Sequence, residues 1–187
     1  MAAGETGPMS DRMDDPTRLF YAILPDAPAR ARLDALAREA AERTGGRATR
    51  ADTLHLTVVF VGTVPGDRVD AAVDAGATIG WRRRPIALDT LGAFARAGIA
   101  WAAPSSVDPT LVAAQRDLVG ALAQRAIATE ARAWKPHVTL ARACGRPLAG
   151  VIDPPIAWDV DRVVLMASRL SREGPRYREI ASWSTAR

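Results

Sequence analysis

The sequence predicts an α+β protein of two similar lobes, with mostly antiparallel sheets, sharing one cleft. Two observations carry that expectation. Segments of helical periodicity alternate with short apolar runs bounded by Gly and Pro, and several of those runs follow one another as hairpins, which favours antiparallel pairing. The pattern His-x-Thr-x also occurs twice in such runs, as His55-Leu-Thr-Val58 and His137-Val-Thr-Leu140, 82 residues apart and so nearly half the chain. Side chains i and i+2 of a strand share a face. Each copy therefore projects a His and a Thr together, one pair from each lobe.

The first strand is expected over 18–24, an aromatic and aliphatic run closed by Pro25. Asp26 caps the helix that follows, with Pro28 in its first turn. Leu33, Leu36, Ala37, Ala40 and Ala41 recur at helical spacing until Gly45-Gly46 ends it. Residues 47–52 read as a connector and 54–61 as the strand bearing the first motif, stopped by Gly62 and Pro65-Gly66. A second amphipathic helix is expected over 67–79, then paired strands over 85–91 and 98–103. Asp108-Pro109 opens a third helix through Ala128, with Leu111, Leu118 and Leu122 on its apolar side. The second motif lies in a strand over 137–143. The Pro-rich stretch 147–155 is assigned no element, and strands over 162–167 and 177–183 close the chain about a turn at 171–175.

At 187 residues and 48% hydrophobic composition, the chain can bury one good core, as one domain or as two packed lobes. No apolar run approaches the roughly 20 residues of a membrane span. Residues 1–15 lack the basic-then-apolar pattern of a signal peptide. Small and polar, they are expected to form a disordered leader, with Met9 or Met13 as alternative starts, ahead of a single domain over 16–187. One cysteine, Cys144, excludes an internal disulfide framework and fits a reducing, cytoplasmic setting. Nothing points to a coiled coil, and a monomer is expected. The net charge is +4, and Lys135 is the one lysine, so 24 of the 25 basic residues are arginine. A GC-rich genome produces that bias, and guanidinium groups also suit phosphate. The two explanations coexist, and the charge permits a nucleotide or nucleic-acid substrate without demanding one.

His55 and His137 are the only histidines. A histidine in an apolar strand is ordinarily a packing residue. Here both occupy the same local pattern and both begin their strands, where a side chain reaches a cleft. A zinc site needs three or four ligands, and no His-x-x-x-His or Cys-x-x-Cys spacing exists, so neither metal nor cofactor is expected. Cys144 lies in a turn-like Ala-Cys-Gly with nothing to lower its pKa, and reads as an inert small residue. Two imidazoles facing one substrate supply a general acid and a general base near neutral pH. Phosphodiester cleavage fits: one His activates water, the other protonates the leaving oxygen, and Thr57 and Thr139 donate to the non-bridging oxygens. The residues alone do not say which His does which.

At these residues the sequence resembles the two-histidine phosphoesterases, and among them the LigT-like RNA 2′,3′-cyclic phosphodiesterases. The likeness runs from about Arg18 to Trp183. It includes the flanks Leu54-His-Leu-Thr-Val-Val-Phe-Val-Gly62 and Pro136-His-Val-Thr-Leu-Ala-Arg142, the opening Arg18-Leu-Phe-Tyr-Ala-Ile23, and the closing segment from Leu165 to Tyr177. The resemblance implies a bilobal fold with pseudo-two-fold symmetry and both motifs lining a central cleft. It implies metal-independent hydrolysis of RNA 3′ ends or nucleoside 2′,3′-cyclic phosphates to 2′-phosphomonoesters, with His55 as proton donor to the leaving 3′ oxygen and His137 as proton acceptor from water. Arg142 matches a family arginine associated with phosphate or nucleotide binding. Ideal alternation aims it away from the His/Thr face, so either the strand bulges there or Arg142 is a surface residue. Trp134 and Lys135 either flank a base or phosphate or are a packed aromatic and a solvated charge. The same histidines also fit a small cyclic nucleotide, an ADP-ribose cyclic phosphate or 2′–5′ RNA joining, and a binding module without turnover is the contrasting class.

Overall fold

The computed structural model describes residues 16–171 and 174–186. The expected leader over 1–15, with Met9 and Met13, lies outside them, as does the centre of the turn at 171–175. In chain order the elements are β1 (Thr17–Ile23), α1 (Ala27–Thr44), β2 (Arg47–Ala48), β3 (Leu56–Val64), α2 (Val69–Ala77), β4 (Pro85–Phe94), β5 (Ile99–Ala103), α3 (Pro109–Gln124), β6 (Val138–Arg142), β7 (Gly150–Asp159), β8 (Arg162–Ser171) and β9 (Gly174–Ser184).

The two long helices begin in the way their sequences predict. Asp26 accepts from the Ala29 amide at 2.8 Å and Asp108 from the Thr110 amide at 2.7 Å, each satisfying an amide that the first turn leaves unpaired. Helix α1 buries Ala29, Leu33, Ala37, Ala40 and Thr44 along one stripe, and Gly45 ends it with φ 70°. Small residues on that stripe let the helix lie close against the sheet.

The strands pair in the order β7-β4-β5-β6-β3-β1-β8-β9, with β2 also joined to β6. Every pairing of named strands is antiparallel. The order divides into two four-stranded halves. One, β3-β1-β8-β9, comes from the two ends of the chain; the other, β6-β5-β4-β7, comes from its middle. They meet where β3 runs beside β6, at the register pair Leu56↔Val138. The two lobes expected from the sequence are thus halves of one continuous sheet. Each half sends a helix across: α1, between β1 and β3, packs on β6 and β7, while α3, between β5 and β6, packs on β3. Helix α2 bridges α3 and β9. Its carbonyl at Ala72 accepts from the buried Tyr21 hydroxyl.

The expected elements recur with shifted ends. Helix α2 starts at Val69, after a 3₁₀ turn, and α3 stops at Gln124. Two segments differ from expectation. The connector over 47–52 contains β2, and the Pro-rich stretch belongs to β7, a ten-residue strand. Prolines argue against an interior strand because they lack an amide donor. β7 is an edge, paired with β4 alone, and Pro154 and Pro155 fall in the gap between Leu88↔Ile156 and Thr90↔Val151. No ladder amide is needed from them there. Among the described residues no helix is long and apolar enough to cross a membrane.

Leu56, wholly buried at the junction of the halves, is the position where truncation should cost most in both. Leu56→Ala is expected to lower unfolding free energy by about 2–5 kcal/mol, read from urea midpoints.

Candidate active site

Both motifs open their strands. His55 directly precedes β3 and His137 directly precedes β6, so both strands begin slightly later than the sequence suggested. Antiparallel register then places the histidines. With Leu56 across from Val138, His55 stands across from Thr139 and Thr57 across from His137. Directly opposed side chains share a face with Cβ atoms about 4.5–5.5 Å apart. Each histidine therefore has its own threonine two residues on and the other motif's threonine beside it.

A bulge then breaks each strand at the motif's fourth residue. In β3, Tyr21 pairs with Val59 and Ala22 with Thr57, leaving Val58 unmatched; in β6, Ala100 pairs with Ala141 and Trp101 with Thr139, leaving Leu140 unmatched. An extra residue shifts the alternation by one. Val58 and Val59 are buried in succession, as are Leu140 and Ala141. The residue five beyond each histidine consequently returns to the His/Thr face. In β6 that residue is Arg142, which the bulge turns toward the cleft. In β3 it is Phe60.

The hollow on this face, about 240 Å³, is lined by Thr49, Thr53, His55, Thr139, Arg142, Pro175 and Tyr177. His137 and Thr57 are not among its lining residues, and their place beside it rests on the register. Four partners were not evident in the sequence. Tyr177 meets the His55 ring edge-on at 5.3 Å, Phe20 lies 4.8 Å from the same ring, and Phe94 meets His137 edge-on at 5.0 Å. Thr49 is the fourth, from the segment read as a connector, and no local pattern marked it. Trp134 is a packed aromatic: its indole N–H donates to the Thr57 carbonyl at 2.9 Å. A second hollow of about 270 Å³ lies among Leu56, Pro85, Pro104, Leu111 and Pro136, and its one ionisable group, Asp108, already caps α3.

The two rings are held alike. His55 Nδ1 lies 2.7 Å from the Thr53 carbonyl oxygen and His137 Nδ1 lies 2.6 Å from that of Lys135. A carbonyl only accepts, so Nδ1–H donates in both, and the neutral rings keep the lone pair on Nε2. Burial lowers His55 to about 4; the Thr53 carbonyl opposes that shift, while the Arg142 guanidinium and the His137 ring add to it. His137 is also held below its ordinary value, by burial first, against the pull of the Lys135 carbonyl and with Arg132 and Arg142 adding repulsion. Tyr177 shifts upward on burial, offset in part by Arg142 and Arg18. Arg142 thus acts on three cleft groups. Among the described residues no cluster of three or more His, Cys, Asp or Glu side chains could hold a metal ion.

Between pH 4 and 6.5 the unfolded chain binds more protons at His55 than the folded one, so stability is full above that window and is lost as pH falls through it. The melting temperature is expected to drop between pH 7 and 4, with a shallower drop in His55→Gln, measured by calorimetric scans across that range.

Against known proteins, the family model described as LigT like Phosphoesterase matches residues 23–101. The RNA 2′,3′-cyclic phosphodiesterase of Escherichia coli (strain K12) is 29% identical over 177 residues, covering 92% of this chain and 98% of that protein. The crystal structure of E. coli LigT complexed with 3′-AMP superposes with a TM-score of 0.81 at 26% identity, covering 92% of this chain and all of that one. A structure from Thermus thermophilus shares the fold at a TM-score of 0.71 and 23% identity, over 89% of this chain and 97% of its own. With two His-x-Thr strands joined in this register, the chain resembles the LigT-like phosphoesterases both in sequence and in fold.

Proposed function

We propose that residues 16–187 act as one catalytic domain that hydrolyses RNA or nucleoside 2′,3′-cyclic phosphates to 2′-phosphomonoesters without a metal. The observation that carries this reading is the crossed register of the motifs, with His55 across from Thr139 and Thr57 across from His137 on one face. The match to the family model and the nucleotide complexes of the E. coli relative, with 3′-AMP and with ATP, support the substrate class.

In the proposed reaction the His137 Nε2 lone pair takes a proton from water as the water attacks phosphorus. His55, protonated on Nε2, gives its proton to the departing 3′ oxygen. The P–O3′ bond breaks and the phosphate stays on the 2′ oxygen. Both rings are drawn toward the neutral form in the free protein, which suits the base. The substrate's negative charge acts the other way, favouring an imidazolium and so supplying the acid. Each Nδ1–H bond to a carbonyl steadies its ring in either state. Thr57 and Thr139 face the non-bridging oxygens, where donors aimed at developing charge do most of their work, and Arg142 stands beyond them on the same face as a further substrate-phosphate donor.

The test is incubation, with chelator, of a short RNA ending in a 2′,3′-cyclic phosphate, followed by phosphorus NMR. A 2′-monophosphate is expected, with His55→Ala and His137→Ala each lowering kcat by about 10²- to 10⁴-fold. A 3′-monophosphate would reverse the assigned leaving group. Wild-type binding without turnover would replace the reading with a nucleotide-binding module. Arg142→Ala is expected to raise KM more than it lowers kcat, and the opposite split would remove it from substrate binding.

A further inference from the structure

β2 is two residues long but firmly held. The Gly46 amide donates to the Ala41 carbonyl at 3.0 Å, and a Cβ on Gly46 would stand 2.7 Å from the Arg142 carbonyl oxygen. The amides of Gly145 and Arg146 both donate to the Thr44 carbonyl, at 3.0 and 3.1 Å, and that of Thr49 donates to Leu140 at 2.8 Å. Glycine alone permits this approach, and the approach fixes the register: Arg47 lies directly across from Arg142, and Ala48 from Ala141.

Opposed residues of an antiparallel pair share a face, and like charges so placed repel. Neither guanidinium has a hydrogen-bond or ion-pair partner among the described residues. The next carboxylate along the chain, Asp52, is taken by Arg50, with Nε 3.0 Å from Oδ1. Thr49, two residues on from Arg47, lines the histidine hollow, and its buried hydroxyl has no partner. Two facing guanidiniums beside an unpaired hydroxyl complement a phosphate, which such forks grip through paired N–H donors. Arg142 stands three residues along β6 from Thr139, roughly 10 Å of strand at ~3.3 Å per residue. Arg47 lies across from it at that remove, a spacing that suits a phosphate other than the reacting one.

Resting on the phosphodiesterase reading above, we propose that Arg47 and Arg142, with Thr49 beside them, bind a second phosphate of the substrate, one nucleotide link from the cyclic phosphate. The preferred substrate then carries at least two phosphates, as an RNA 3′ end or as a 5′-phosphorylated nucleotide. A nucleoside cyclic phosphate occupies only part of the site.

Three substrates test this: a nucleoside 2′,3′-cyclic phosphate, its 5′-phosphorylated form, and a dinucleotide ending in the cyclic phosphate. Wild-type kcat/KM is expected to be about tenfold or more higher for at least one two-phosphate substrate than for the nucleoside form, as for a charge-assisted phosphate contact. Arg47→Ala should shrink that ratio to about twofold, Arg47→Lys should keep part of it, and the exposed helix-surface control Arg116→Ala should leave it unchanged. A preference confined to the 5′-phosphate assigns the pair to a terminal group; one confined to the dinucleotide assigns it to the RNA backbone. A wild-type ratio near one, or a ratio that Arg47→Ala leaves intact, overturns the proposal. Calorimetric titration with a nucleoside 3′,5′-bisphosphate against the 3′-monophosphate reads the same preference without turnover. An Arg47-dependent preference for the bisphosphate in a protein that hydrolyses none of the substrates would keep the phosphate site and sink the phosphodiesterase reading.

Discussion

One antiparallel pairing governs the rest. Where β3 meets β6, Leu56 lies opposite Val138, and this contact joins the two halves of the sheet. Strand side chains alternate with period two, so the pairing also decides what faces the cleft. A slip of one residue would carry a histidine and its threonine to the buried side together. The buried faces resist that slip because Leu56, Val58, Val138 and Leu140 are all wholly enclosed. The crossing of α1 and α3 onto opposite halves reinforces it, since each helix ties the half it belongs to onto the other.

The bulges at Val58 and Leu140 turn a symmetric frame into an asymmetric site. Each returns the residue five places beyond its histidine to the cleft face, and those two residues differ in kind. Phe60 extends an apolar cluster with Phe20, Met166 and Tyr177, and the Arg18 guanidinium lies 4.7 Å above its ring. Arg142 instead brings an unpaired positive charge beside Thr139. The two returned residues are therefore unlike in polarity, an aromatic ring in the half made from the chain ends and a guanidinium in the half made from its middle.

That polarity bears on proton chemistry. Both rings lie in desolvated surroundings near a guanidinium, so each favours its neutral form until negative charge arrives. An anion bound near Arg142 would raise both imidazoles together, and the carbonyls of Thr53 and Lys135 already hold the rings in the orientation a second proton would need. Binding and protonation are coupled by the same few residues.

Much of this was legible in the amino-acid order. The repeated His-x-Thr, the capped helices at Asp26 and Asp108, and hairpins bounded by Gly and Pro are local signals, each acting within a few residues. They were enough for the α+β class, the strand setting of both motifs and the shared face of each His and Thr. What the order could not express is long-range pairing. That β7 tolerates two prolines follows from its lying at an edge; that Arg142 turns inward follows from a bulge measured against β5. Thr49 joins the cleft only because Gly46 lets β2 close onto β6, and Tyr177 reaches His55 only through the β8–β9 hairpin. Local propensity and periodicity are written residue by residue, whereas register and bulges exist only between strands, and it is the pairing of strands that gathered the site.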